Sequence, residues 1–303
     1  MTDAFWPLAW RLWSRVFVFV LLGAVLGRLS PGKSRVWVRR FAALSIHAIV
    51  PVYILALMWR TRVDWGRFAL LSVAVAGVLA GGAAGAAALS RRWGKPFREV
   101  CLPVVFMNSI YLALPVNALL FGPAGAAATV VFNFVVTAVH FTVGVWWVRR
   151  PDRSGWREVL GLPILYAAAA GAALNAAGTP FPAWADGAAR GLTAVALPAM
   201  LVLIGVRMTD LPRGGWDRAA QGTAVRMLGG AVCGWLCAAL LGLEGVERAV
   251  VIVTAAMPSA VNTYLLSERF DADPAFAAAL VTLGTALSAV TLPLLAWGLG
   301  AGG

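Results

Sequence analysis

Phe68-Ala-Leu-Leu-Ser-Val-Ala-Val-Ala-Gly-Val-Leu-Ala-Gly-Gly-Ala-Ala-Gly-Ala-Ala-Ala-Leu89 runs for 22 residues without a charge. A helix needs roughly 20 mainly apolar residues to cross the ~30 Å hydrocarbon core of a bilayer. This stretch meets that requirement, and it is not alone. Uncharged runs recur at 16–26, 100–125, 126–148 and 227–243, the last separated by Arg226 from a shorter run at 221–225. Several spans in one chain predict a polytopic, all-α membrane protein whose first partner is the lipid bilayer.

Composition agrees. The 303 residues are 61% hydrophobic and only 13% charged, against roughly 25% charged in soluble domains. Arg11 and Arg15 precede the first apolar run, but the basic Gly27-Arg28-Leu29-Ser30-Pro31 follows it where a signal peptide would carry a small-residue cleavage site. The first helix is therefore expected to be retained. Cys101, Cys233 and Cys237 stand in apolar context with no ligand partners at metal spacing. They read as small apolar residues, and no metal or cofactor is expected.

Pattern and turn residues divide the chain into ten helices at about 12–29, 37–59, 66–90, 99–121, 124–148, 158–178, 185–206, 220–242, 247–267 and 274–299. The Trp- and Arg-rich segment 4–15 suits a membrane interface. Of the 25 basic residues, seventeen fall in the odd-numbered connections: five from Arg28 to Arg40, four from Arg91 to Arg98, four from Arg149 to Arg157, then Arg207, Arg213, Arg218 and Arg269. Five (Arg60, Arg62, Arg67, Arg190 and Arg248) fall in the even ones, and Arg11, Arg15 and Arg226 sit near helix ends. Basic residues concentrate in cytoplasmic loops. The net charge of +12 thus records orientation, with both termini away from the cytoplasm, and not a nucleic-acid partner.

The two halves resemble each other. Pro51 to Arg60 matches Pro198 to Arg207 with proline and arginine at identical spacing, and Ala113-Leu-Pro115 answers Ala256-Met-Pro258, each with an Asn beyond it. A repeat of five helices must insert its second copy upside down, as in many secondary transporters. Residues 1–150 and 151–303 are the two repeats on this reading.

Proline inside a spanning helix frees backbone groups that lipid cannot satisfy. The fourth segment holds Asn108, Ser109, Pro115 and Asn117; the ninth holds Pro258, Ser259, Asn262 and Thr263. If both unwind and cross near Pro115 and Pro258, half-helix N-termini would face one cavity and favour an anion. The six polar residues are the expected substrate contacts. One such break alone is usually a tolerated kink; two at matching places mark a transporter site.

Residues 255–266 and 281–293, with Gly161-Leu-Pro through Asn175 to Gly205, resemble the C-terminal signature of the auxin efflux carrier family. Arg40-Phe41 before Pro51, and Leu102-Pro through Asn108 to Pro115, resemble its second and fourth helices. The likeness is to a bacterial-type member within the bile-acid and sodium symporter-like superfamily. It implies a scaffold domain, a transport domain, crossed fourth and ninth helices and an elevator-like motion in a plasma or inner membrane. By motif, Asn108 stands where plant carriers place a substrate-binding Asn, and Asn262 matches the bacterial members. The substrate class implied is a small organic anion, such as auxin, malate or malonate. The long insert of the plant carriers is missing between the halves, and Asp64, Glu99, Glu158, Asp217, Glu247 and Glu268 all lie at helix ends. Coupling to a proton or to sodium therefore stays open, as does a homodimer.

His47 and His140, the two histidines, read as intramembrane and are candidates for proton coupling, against the plainer role of a neutral backbone donor. Competing classes fare worse. An intramembrane enzyme needs a nucleophile with a base, paired carboxylates or a metal cluster, and a channel needs a filter of repeated polar groups. A sodium-coupled bile-acid-type symporter shares the architecture and is the main alternative.

Overall fold

The structure is a computed structural model that describes residues 5–29, 40, 44–60, 65–149, 163–210 and 216–300. Among these the chain is helical, apart from turns and one isolated two-residue pairing. We label α1 (Phe5–Leu29), α2 (45–60), α3 (Trp65–Trp93), α4 (Phe97–Val105), α5 (Ala113–Val148), α6 (Pro163–Ala176), α7 (Ala185–Asp210), α8 (216–240), α9 (Gly245–Ala255), α10 (Val261–Arg269) and α11 (Pro274–Gly298). Lys33, Arg35, Arg39, Arg62, Arg150, Arg153, Arg157 and Arg213, counted for orientation, lie outside the described residues, as do Asp64 and Glu158.

Six of these helices are long and apolar enough to cross a membrane: α1, α3, α5, α7, α8 and α11. Their outward faces are apolar. Leu21, Val73, Val143, Val232 and Leu294 are exposed, as are Trp6, Trp146 and Trp235. Such a surface would aggregate in water and is at home in lipid, with amphipathic indoles suited to the headgroup level. The molecule is a multi-pass membrane protein.

One sequence reading changes, and the breaks read in the fourth and ninth segments are found. The segment 4–15, read as interfacial, continues α1: the helix starts at Phe5, passes through a wide turn at Trp13–Phe17 and buries Leu8, Ala9 and Leu12. The fourth and ninth segments are each two short helices, α4 with the start of α5, and α9 with α10. The fourth and fifth segments meet at Gly122, whose φ of 63° and ψ of −153° break the helix. That backbone is open to glycine without strain, and Pro123 starts the next leg where its missing N–H is not needed.

Close packing follows small residues. α1 lies along α7, and a Cβ on Gly23 or Gly205 would collide with the backbone carbonyl of Val202 or Val20. α2 lies along α6, where Gly171 touches the Leu55 carbonyl. α3 uses the Ala/Gly run of the opening stretch to admit α8: Gly77 and Gly81 face the Cys237 and Cys233 sulfurs. The cysteines are unpaired. α11 begins at Asp273, whose Oδ1 accepts from the Phe276 N–H at 3.1 Å and whose Oδ2 meets Arg218 of α8 at 2.9 Å. Around this second group, α4, α9 and α10 are enclosed by α3, α5, α8 and α11.

Candidate functional site

The two breaks satisfy each other. The Asn108 N–H donates to the Pro258 carbonyl at 2.7 Å, and the Ala260 N–H donates to the Phe106 carbonyl at 3.0 Å. Between them Met107 and Ser259 face each other as an antiparallel pair. Groups that lipid would leave unbonded are paired inside protein, which is the condition for irregular backbone at membrane depth.

The sequence placed this crossing at Pro115 and Pro258; Pro258 instead meets Asn108. The reason is positional. Pro115 is the third residue of α5, in its first turn after Ala113, where a proline costs no helical hydrogen bond. Chain opening is set earlier, after Val105.

Asn108 has two functions in one amide. Its Oδ1 accepts from the N–H groups of Tyr111 at 3.1 Å and Leu112 at 3.3 Å, which caps the entry to α5. Its Nδ2 is buried without a partner. Ser109 donates to Asn133 Oδ1 at 2.8 Å, and Thr137 donates to the same oxygen at 3.3 Å. Asn108, Ser109, Asn133, Thr137, His140 and Asn262 border one cavity of about 50 Å³, which Met107, Tyr111 and Val261 also line. That volume holds a few waters or one small polar group.

The other expected contacts lie elsewhere. Asn117 is fully buried and donates from Nδ2 to Thr129 at 2.8 Å and Thr254 at 2.9 Å, tying the first leg of α5 to its second leg and to α9. Ser259 and Thr263 share a hydroxyl contact of 3.0 Å at the start of α10, and Thr263 donates to the Ala260 carbonyl at 2.6 Å. Those three residues shape the crossing without bordering the cavity. His140 is buried in a wide turn of α5, its ring stacked on Phe106 at 4.1 Å between centroids, with Nε2 unpartnered. His47 is exposed on α2, apart from this cavity.

The residue that sequence reading misplaced is Arg226. It was assigned near a helix end; it is 1% exposed in the middle of α8, the largest fully buried side chain among the described residues. From a wide turn at Val225–Gly229, one guanidinium nitrogen donates to the carbonyls of Val104 at 2.9 Å and Val105 at 2.5 Å. The other donates to the carbonyl of Ala255 at 2.7 Å. These carbonyls end α4 and α9, where each helix carries partial negative charge. Gly230, one turn along α8, leaves room for the group, because a Cβ there would collide with the guanidinium. One signal was in the sequence: α8's apolar run is interrupted at this single residue. The crossing thus has two polarities, half-helix N-termini and an unpaired amide donor on the cavity side, and C-terminal carbonyls closed by a fixed cation behind.

Among the described residues, no three His, Cys, Asp or Glu side chains group to hold a metal ion. Residues 147–296 match the family model described as membrane transport protein. No curated protein matches the chain significantly.

Proposed function

The chain belongs to the membrane transport protein family, that of the auxin efflux carriers, and from that premise we propose that it is a secondary carrier for a small organic anion with a carboxylate. The observation that carries this reading is the mutual pairing of the two broken helices beside a cavity bordered by Asn108 and Asn262. Neutral donors and half-helix N-termini hold an anion without burying a second charge.

On this reading the chain crosses the membrane ten times, as two inverted five-helix repeats divided near residue 150. α1, α2, α6 and α7, which pack mainly on one another, form the scaffold. The crossing and the helices around it form the moving part of an elevator. The protein resides in the plasma or inner membrane with both termini outside the cytoplasm. Asn108 and Asn262 contact the substrate; Asn117, Ser259 and Thr263 hold the crossing in shape.

Coupling follows from the same geometry. Carriers of this general plan hold coupling cations at unwound carbonyls and half-helix C-terminal ends. Here Arg226 bonds three such carbonyls, so a cation is built in and sodium is not required there. That disfavours the sodium symporter. His140, beside the cavity, is the residue proposed to couple a proton, and exposed His47 is not.

The test is uptake into proteoliposomes of acetate, lactate, succinate and citrate, with sodium and pH gradients imposed separately. Uptake of at least one anion, indifferent to sodium and responsive to pH, is expected. No uptake or exchange of any of them would overturn the assignment to organic anions; strict sodium dependence would favour the symporter.

A further inference from the structure

The repeat match between α2 and α7 ends, in each copy, on an arginine. Each arginine borders a cavity. Arg207, with Leu203 and Ile204, borders one of about 40 Å³ that also touches Tyr111, Asn262 and Leu265. Arg60, with Ala56 and Leu57, borders one of about 640 Å³ that also touches Ala118 and the turn at Gly122.

The two hollows share part of their lining by repeat register. Ala56, Leu57 and Arg60 answer Leu203, Ile204 and Arg207 at the offset set by Pro51 and Pro198, and Ala118 answers Val261 at the offset set by Pro115 and Pro258. Three of each set come from the helix bearing the arginine and one from a half-helix beyond a crossing segment. Unrelated surface hollows would share no such register. The two differ in size: one is wide, and the other is pinched and shares Tyr111, Val261 and Asn262 with the crossing cavity. One repeat-related vestibule open and its counterpart nearly shut is the geometry expected of a carrier caught at one end of its cycle.

The chemistry favours anions. A guanidinium presents paired donors that match a carboxylate edge to edge. Among the described residues no carboxylate pairs with Arg60 or Arg207. Arg60 instead lies over the Phe181 ring, 5.8 Å from its centroid. Arg190 adds a second cation to the wide cavity. Arg207 borders the same cavity as Asn262, which also borders the crossing cavity.

We propose that Arg60 and Arg207 are repeat-related docking sites for the carboxylate of the substrate, one at each end of its path. This rests on the carrier reading above. With α2 and α7 in inverted repeats, Arg60 serves the non-cytoplasmic face and Arg207 the cytoplasmic face. Both stand on scaffold helices, so each is a fixed charge that the moving crossing approaches in turn.

Right-side-out and inside-out membrane vesicles, with the same four carboxylates as probes, separate the two faces. Arg60→Gln should raise KM by about tenfold for the anion offered at the non-cytoplasmic face, as expected for one lost charged hydrogen bond, and leave the opposite face within about twofold. Arg207→Gln should do the reverse. Arg→Lys at either position should recover most of the loss, because the charge remains. Both Gln variants should fold, since neither arginine hydrogen-bonds to the protein's described residues, and unchanged melting in detergent verifies that. Raising ionic strength should weaken the parent's uptake more than the Gln variants'. If the parent carries a carboxylate and both Gln variants keep parental KM at both faces, the docking sites are refuted while the carrier stands. If the parent carries none, both readings fall.

Discussion

Replacing Arg226 by methionine tests what holds the crossing together. The side chain keeps its bulk but frees three buried carbonyl oxygens, those of Val104, Val105 and Ala255. Each orphaned acceptor costs about 1–3 kcal/mol in a protein interior, so the low end of the total is about 3 kcal/mol. Polar groups in membrane proteins often find substitutes, and measured bonds there average about 0.6 kcal/mol, which lowers the floor to about 2 kcal/mol. Swapping whole ion pairs for apolar groups can stabilise a protein, but here only the cation leaves and the carbonyls stay. At about 2–4 °C per kcal/mol, melting in detergent should fall by at least about 4 °C. Transport should fall further, because the ends of α4 and α9 lose their common anchor. Lys keeps the charge yet spans fewer of the carbonyls, so Arg226→Lys should lie between. A methionine variant that melts within about 1 °C of the parent and transports normally would refute the reasoning.

At the crossing, Asn262→Ala should weaken anion affinity by about tenfold or more with melting unchanged, whereas Asn108→Ala should lower both, because its Oδ1 also caps α5; isothermal binding and thermal melts on one preparation distinguish them. His140→Gln should remove the pH dependence of uptake while binding persists, and unchanged dependence would assign His140 to packing against Phe106. In a cysteine-free background, Glu244→Cys should react with a membrane-impermeant thiol reagent added to intact cells and Lys95→Cys should not; the opposite pattern would invert the proposed topology.

The breaks were legible because proline and asparagine stand out against a polar-free background. Asn108 and Asn262 were read as cavity residues for that reason, and both border the cavity. What sequence could not give was the depth of each polar group. Asn117, Ser259 and Thr263 belong to the same motifs, yet their hydrogen bonds are spent on neighbouring helices. Pro115 and Pro258 look equivalent in one dimension, but a proline's effect depends on its distance from the helix start, and only Pro258 sits in an open segment. Arg226 was missed because a counting rule for loops sorts arginines by nearness to a helix end. Its burial depends on the missing side chain of Gly230 and on carbonyls that, for α4, lie more than a hundred residues away in sequence. The arginine at the end of α7 was counted as a loop charge for the same reason.

The hydrogen bonds from Asn108 to Pro258 and from Ala260 to Phe106 also impose an order on biogenesis. The ribosome delivers the first break long before the second exists, so the newly inserted N-terminal half must sit in the bilayer with the backbone around Phe106 and Asn108 lacking its final partners. Water near the translocon, or a chaperone, has to cover those groups until the second half arrives. Neither half can therefore reach its native form by itself. The two would have to be co-translated or co-expressed as fragments to assemble, and a ribosome stalled between them would leave a degradation-prone intermediate.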